Sequence, residues 1–564
     1  MRLSDYHKEL EHIEQLISNN GIKPEDIQQY KKLSIKMENF IAAQGNDERH
    51  HIMLIIPVAD RPQHLENCLE SIYTLCENFY YGGKAQDFNK VSVLVAEDSK
   101  EISCRDKNRK IIKSFCQRGL RTVYFGLDEQ IEILASLSCA TRKALYGIVG
   151  NISSDDFSHK GASITRNITY LKLNQIKDNY KNIIFYFIDS DQEFKVNPVL
   201  EDGRVVPYTL NYFYHLDKIF SDNDIDVFTG KVVGDPPVSP SVMAANFLDD
   251  VCSFLVSVSA CDLDGACCFH GNRPHGKTND AAYHDMADLF GFKIKPETFN
   301  YSCDLELPHS NKACLERFSH QLSQFFDGVH LTRKNYYQHE NIAASMTAAR
   351  TVYTGNFAFT RSALRYFIPF ANLKFRMAGP TMGRLIKDKL GNRFVSANLP
   401  MLHERTVEHM GKSEFRSGIQ HNEDSINLQG EFERQYFGDV MLFSIEELLK
   451  SGYPEKDLSR ADISKVVLNK SVFLGKSYLK KLQQVQNNIN SLKSIYRNKF
   501  YNTGSTINNI KHFIANMELN FSENSFSYQL VTKDNSKSPQ LKSIIDGILN
   551  YRNEIIAWSK LFEK

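Results

Sequence analysis

The chain has 564 residues but no uninterrupted apolar run long enough to cross a bilayer. The longest candidate, Phe247 to Phe269, is broken by Asp249, Asp250, Asp262 and Asp264. Its first residues, Met1-Arg-Leu-Ser-Asp-Tyr-His-Lys-Glu-Leu, lack the apolar core of a signal peptide. These two absences predict a cytoplasmic protein with no transmembrane segment, able at most to dock on the inner face of a membrane. A dominant charge is missing too. The formal net charge is +1, which removes the electrostatic case for nucleic acid as an obligate partner. No internal repeat is visible. No C-x-x-C pair occurs among the 11 cysteines, all of which precede residue 315. Cys261, Cys267 and Cys268 lie near His270 and His275 in sequence, but their spacing is not that of structural zinc sites, and buried free thiols are the expectation. The apolar and charged fractions, 42% and 24%, are those of an ordinary soluble protein, and the length allows several domains.

The most informative stretch present is Asn182-Ile-Ile-Phe-Tyr-Phe-Ile-Asp189-Ser190-Asp191. An apolar, β-favouring run of this length reads as a buried strand of a parallel sheet. Ligands of open α/β sheets bind at the carboxyl ends of the strands. Two carboxylates there can hold a hard divalent cation, and such a cation commonly holds a phosphate.

The flanking texture supports an α/β fold. Residues 1–48 read as helices, a cap on the main domain or a partner-binding element. Strands are predicted at Ile52–Val58, Val91–Ala96, Arg121–Phe125 and from Asp226, with helices between them at Leu65–Ile72, Asn108–Arg118 and Gly161–Leu173. Residues 234–350 read as a long irregular segment, and Thr351–Phe359 returns to strand texture. Residues 432–564 read as helical, with poor heptads in Lys480–Tyr496. The domain reading is thus 1–48, 49–431 and 432–564, the helical ends being available for oligomer contacts.

Four motifs in order then resemble a known family. Pro57-Val58-Ala-Asp60-Arg61-Pro62 follows the first strand, Glu97-Asp98-Ser99 the second, Lys160-Gly161-Ala-Ser-Ile-Thr-Arg166-Asn167 opens a helix, and Asp189-Ser190-Asp191 follows it. Together they resemble the GT-A glycosyltransferases, most of all family 2. The resemblance covers about residues 50–410. It implies a Rossmann-like, mostly parallel sheet with flanking helices, and transfer of a sugar from a UDP- or GDP-sugar to a glycan or glycoconjugate acceptor in a bacterial pathway. It also implies Mn²⁺ or Mg²⁺ on Asp189, Asp191 and a late histidine, here His403. Nucleotide-sugar contacts are expected from Pro57, Val58, Asp60, Arg61, Asp98, Gly161, Arg166, Asp189 and Ser190. An imidazole ligand suits Mn²⁺ better than Mg²⁺.

One departure stands out. Inverting members carry an acid before a Gly-x-Arg-Leu helix, the general base on the acceptor. Here Gly383-Arg384-Leu is kept but Phe375-Arg376-Met-Ala-Gly379-Pro-Thr381-Met supplies no acid. Asp191 and Arg384 are the catalytic candidates, with Asp264 as the base; Asp249, Asp250, Asp262, His270 and Asp285 are alternatives to it. The same stretch loosely resembles retaining GDP-mannose enzymes. Two other readings are a scaffold on a degenerate transferase fold and a nucleotidyltransferase. The second wants a glycine-rich loop after the first strand, which Pro57–Pro62 lacks.

Overall fold

The structure is a computed structural model. It describes residues 2–83, 87–151, 157–200, 204–221, 223–235, 237–269, 301–405, 416–499 and 504–563. Its strands are β1 (His51–Val58), β2 (Val91–Glu97), β3 (Thr122–Phe125), β4 (Ile183–Ile188), β5 (Gln192–Glu193), β6 (Val227–Thr229), β7 (Val232–Gly234), β8 (Thr347–Ala348), β9 (Asn356–Thr360), β10 (Phe394–Ser396) and β11 (Met401–His403), besides a short hairpin further on. The main sheet runs β3-β2-β1-β4-β9-β6-β10-β8. Strands β1 to β4 are parallel, as the alternation of strands and helices predicts. Strand β9 runs antiparallel to both β4 and β6, and β8 antiparallel to β10, so the sheet is mostly and not wholly parallel. A small second sheet joins β5, β11 and β7.

Strand β4 is buried along its whole length, and its side chains divide by parity. Ile183, Phe185 and Phe187 enter one core, while Ile184, Tyr186 and Ile188 enter the other. The second core takes in Leu10, Ile13, Tyr30 and Met37 from the two N-terminal helices, Leu3–Asn20 and Pro24–Gln44. Those helices are therefore a cap on the sheet. The first core runs without a break from the sheet to the C-terminal helices and ends at Trp558. Trp558 packs on Tyr170 and Phe367 and donates its indole N–H to the Leu364 carbonyl at 3.3 Å.

Several expectations are corrected. Residues 234–350 are not simply irregular: Pro240–Ser259 and Asn311–Gln321 are helices. The first starts at a Ser239 cap with Pro240 at its first position, a good helix start that its mixed composition obscured. It is also long and apolar enough to cross a membrane by length and composition, although 67% of its apolar window is buried inside the protein. Asp249 fixes it to the Arg460–Lys499 helix by accepting from Gln484 at 3.1 Å and Asn488 at 2.7 Å. The Lys480–Tyr496 stretch is thus part of a packed core helix. The strand expected from Asp226 is split into β6 and β7 at Gly230, where an added Cβ would lie 2.2 Å from Asn356 Nδ2. Helices at Leu127–Ser136, Cys139–Ala144 and Tyr146–Val149 were not foreseen, and the helix expected from Asn108 starts at Ile102.

Two measurements test this packing. Trp558→Ala should cost about 3–5 kcal/mol of stability in denaturant titration, the range for a large buried aromatic. Glu554 is buried beside Gly147, and burial raises its carboxyl to about 7. A carboxyl raised on folding contributes most below its unfolded pKa, and that contribution is lost as pH climbs through the folded value. Glu554→Gln should therefore gain stability relative to the parent between pH 5 and pH 8, read as a widening gap in denaturation midpoints.

Candidate functional site

The carboxyl ends of β1, β2 and β4 open on a cleft of about 460 Å³, a size suited to a small-molecule ligand. Its walls include Pro57, Val58, Arg61, Asp98, Gly161, Arg166, Asp189, Ser190, Asp191 and His403. Ten of the expected site residues thus meet although they come from five separate segments. Three do not line it. Asp60 accepts from the Glu101 N–H at 3.0 Å and pairs with His159, so it staples the β1 loop to the next helix start. Arg384 gives its guanidinium to the Arg350 carbonyl at 2.6 Å and Thr351 Oγ1 at 2.8 Å, which ties its own helix to the preceding loop. Asp264 is an exposed residue of a turn, its N–H donated to Asp262 Oδ1 at 3.2 Å. Asp249 is held by the C-terminal helix, Asp250 by Thr332 and Arg333, and Asp262 sits in the same exposed turn as Asp264. His270 and Asp285 lie outside the described residues.

Asp191 is the electrostatic centre. Its Oδ2 lies 2.7 Å from Arg405, 3.1 Å from Arg61 and 3.6 Å from His403 Nε2. Burial by itself pushes this carboxyl up, but the His403, Arg405 and Arg61 charges together hold it well below the usual carboxylate range. Asp189 is one-third exposed toward the cleft and paired with Arg166. Gly355 permits that approach, since an added Cβ would stand 2.5 Å from Asp189 Oδ2. His403 belongs to β11, and its Nδ1 lies 2.6 Å from the Asp235 carbonyl. A carbonyl can only accept, so Nδ1 carries a proton, and Nε2 faces Asp191. Asp191, His403 and Asp189 offer two carboxylate oxygens and one nitrogen, donor types that suit Mn²⁺, although the three do not all lie within 4.8 Å of one another. To join the other two, Asp189 would have to move toward them and give up a contact with Arg166.

Asp98 has a different setting. Its carboxylate accepts from the backbone of Lys160 and Gly161, both at 3.1 Å, and from Lys160 Nζ at 2.7 Å. It anchors the start of the Ala162–Ile176 helix while still facing the cleft. Gly161 has φ of 101°, which only glycine adopts without strain. Two helix N-termini, at Ala162 and Ala378, contribute to the wall, and such ends favour anions.

Sequence reasoning missed most of the positive charge. Arg61, Arg166, Lys374, Arg376, Arg405, Arg416 and Arg434 line the cleft, against the carboxylates Asp98, Asp189, Asp191 and Glu431. Arg61 and Arg166 were expected, and of the other five only Arg405 carried a signal, standing two residues after His403. Burial and the neighbouring Arg405 pull Arg416 down to about 9. Among the described residues, Arg416 Nη1 and Arg166 Nε are buried and meet no hydrogen-bond partner. Crowded, partly unsatisfied guanidiniums are costly unless a polyanion joins them.

No family model matches the chain, and no curated protein matches it. Among solved structures, the mannosyltransferase PcManGT from Pyrobaculum calidifontis in complex with GDP-Man and Mn²⁺ aligns over 90% of this chain and 97% of its own, at 10% identity and a TM-score of 0.31.

Arg405→Ala and Arg166→Ala should each weaken binding of a nucleoside diphosphate about 10- to 100-fold in calorimetric titration, the worth of one charge-assisted bond. Gly355→Val should lower affinity while leaving the thermal transition near that of the parent.

Proposed function

We propose that the protein is a glycosyltransferase that moves a sugar from a nucleoside diphosphate sugar to an acceptor hydroxyl. The observation that carries this reading is the convergence of an arginine-rich wall, two helix N-termini and the Asp189/Asp191/His403 donor set at the carboxyl ends of β1, β2 and β4. A ligand that satisfies all three is a diphosphate attached to something the rest of the cleft can hold. The strand order 3-2-1-4 puts a reversal of strand order beside β1, where α/β sheets bind nucleotides.

Arg61, Arg166 and Arg405 would grip the diphosphate and stabilise the charge that grows on it as the sugar bond breaks. Pro57 and Val58 would pack on the nucleoside, with Asp98 and the Ala162 helix start holding its orientation. Asp189, Asp191 and His403 would hold a divalent cation, which supplies further charge neutralisation of the leaving group when bound. Tyr353, Gly379 and Pro380, which also line the cleft, would receive the acceptor.

Among the described residues, the four carboxylates of the wall favour retention of configuration. Inversion needs a carboxylate free to take the acceptor proton. Asp98 is engaged by Lys160, Asp189 by Arg166 and Asp191 by Arg405. Burial raises the Glu431 carboxyl, but Arg376, Arg416 and Arg434 outweigh it and keep Glu431 ionised and paired. With retention, the departing diphosphate oxygen takes the hydroxyl proton on the face it leaves.

The test is donor hydrolysis and transfer over a panel of UDP- and GDP-sugars with Mn²⁺ or Mg²⁺. Asp189→Ala and Asp191→Ala should lower the rate by about 100-fold or more, the scale of losing one preorganised charge group. Variants turning over at the parent rate would sink the proposal. The anomeric proton coupling of the product, read by NMR, should match that of the donor.

A further inference from the structure

A second polar cluster lies away from the cleft. Cys267, Cys303 and Cys314 bring their sulfurs within 4.8 Å of one another, and His309 Nε2 is 3.2 Å from Cys303 Sγ. None of these four residues lines the cleft. Cys314 stands in the first turn of the Asn311–Gln321 helix, where the helix dipole favours a thiolate. Cys303 and Cys314 are buried and Cys267 is half-buried.

We propose that Cys267, Cys303, Cys314 and His309 form a structural zinc site. Three thiolates and one imidazole are a set that zinc binds tetrahedrally. The polar surroundings are those of ligands and not of inert core thiols. His309 Nδ1 lies 3.0 Å from the Glu306 carbonyl, so its proton is on Nδ1 and Nε2 presents its lone pair to the sulfurs. The Phe269 N–H points at Cys267 Sγ at 3.4 Å, and the Leu305 N–H bonds Cys303 Sγ. These two sulfurs thus accept from the amide two residues on, which stabilises a thiolate.

The backbone already brings the two arms together. The Cys267 N–H donates to the His309 carbonyl at 3.0 Å and the Cys303 N–H to the Phe269 carbonyl at 2.9 Å. Phe254, Phe269, Tyr301 and Phe318 close an aromatic floor beneath them. A metal here would pin the 261–269 arm to the 301–314 arm and both to the Pro240–Ser259 helix. The nearest cysteines are directed elsewhere: Cys261 Sγ donates to the Ser257 carbonyl at 3.5 Å and Cys268 Sγ to the Ala266 carbonyl at 3.6 Å. Forming the site requires loss of the thiol protons to solvent as Zn²⁺ binds, with no change of oxidation state.

The experiment uses the full chain, purified under reducing conditions from zinc-supplemented medium. Mass spectrometry of the metal content should find one zinc per chain, falling below one-tenth of that in Cys303→Ser and His309→Ala. Because a variant can fail to fold, the parent is also exchanged with Co²⁺. Sulfur-to-cobalt charge transfer and the intense visible bands of a tetrahedral ion should appear, and a chelator should lower the melting temperature. A parent chain that holds no zinc and gives no thiolate–cobalt band would overturn the proposal. So would a disulfide among the three cysteines in the intact mass, or iron in place of zinc. The result is independent of the transferase reading, since it needs no sugar nucleotide and no turnover.

Discussion

A strand with apolar side chains on both faces of a sheet can carry charge only where it stops, and β4 stops at Asp189. The six buried residues Ile183–Ile188 commit alternately to the two cores, so neither the strand nor its register can shift without stripping one core. That constraint sets Asp189 and Asp191 beyond the last ladder bond. The antiparallel β9, which begins just after Gly355, lies beside them, and the small β5-β11-β7 sheet brings His403 to Asp191. The cleft is in this sense a consequence of where the hydrophobic ladder ends.

The same place collects the molecule's least comfortable charges. A buried carboxylate is tolerable when cations surround it, and Asp191 has Arg61 and Arg405. The surplus runs the other way: Arg376, Arg416 and Arg434 share Glu431. Cations in excess over anions inside a low-dielectric wall favour a multiply charged guest. The proposed diphosphate would relieve the repulsion that lowers Arg416. Around the cleft, the N-terminal helices seal one face of the sheet and the C-terminal helices seal the other, which keeps the strand ends rigid while leaving them open at the tip.

Much of the main sheet was legible in the residues. Short apolar runs and the helices between them marked β1 to β4 closely, and four local motifs marked Pro57, Asp98, Arg166 and Asp189. The antiparallel β9 was invisible as such, because strand direction is a matter of connection and not of local pattern. The Pro240–Ser259 helix was read as loop because its apolar positions are interrupted by Asp249 and Asp250, each of which has a specific partner far along the chain.

The sequence alone determined that a charged pair ends a buried strand and that helices precede the sheet, because both follow from the spacing of neighbouring residues. Only the tertiary structure decided which arginines surround that pair, that Arg384 and Asp264 lie off the cleft, and that Cys267, Cys303, His309 and Cys314 share one pocket. Those relations join residues tens to hundreds of positions apart. They are fixed by how the layers pack, and no local periodicity records them.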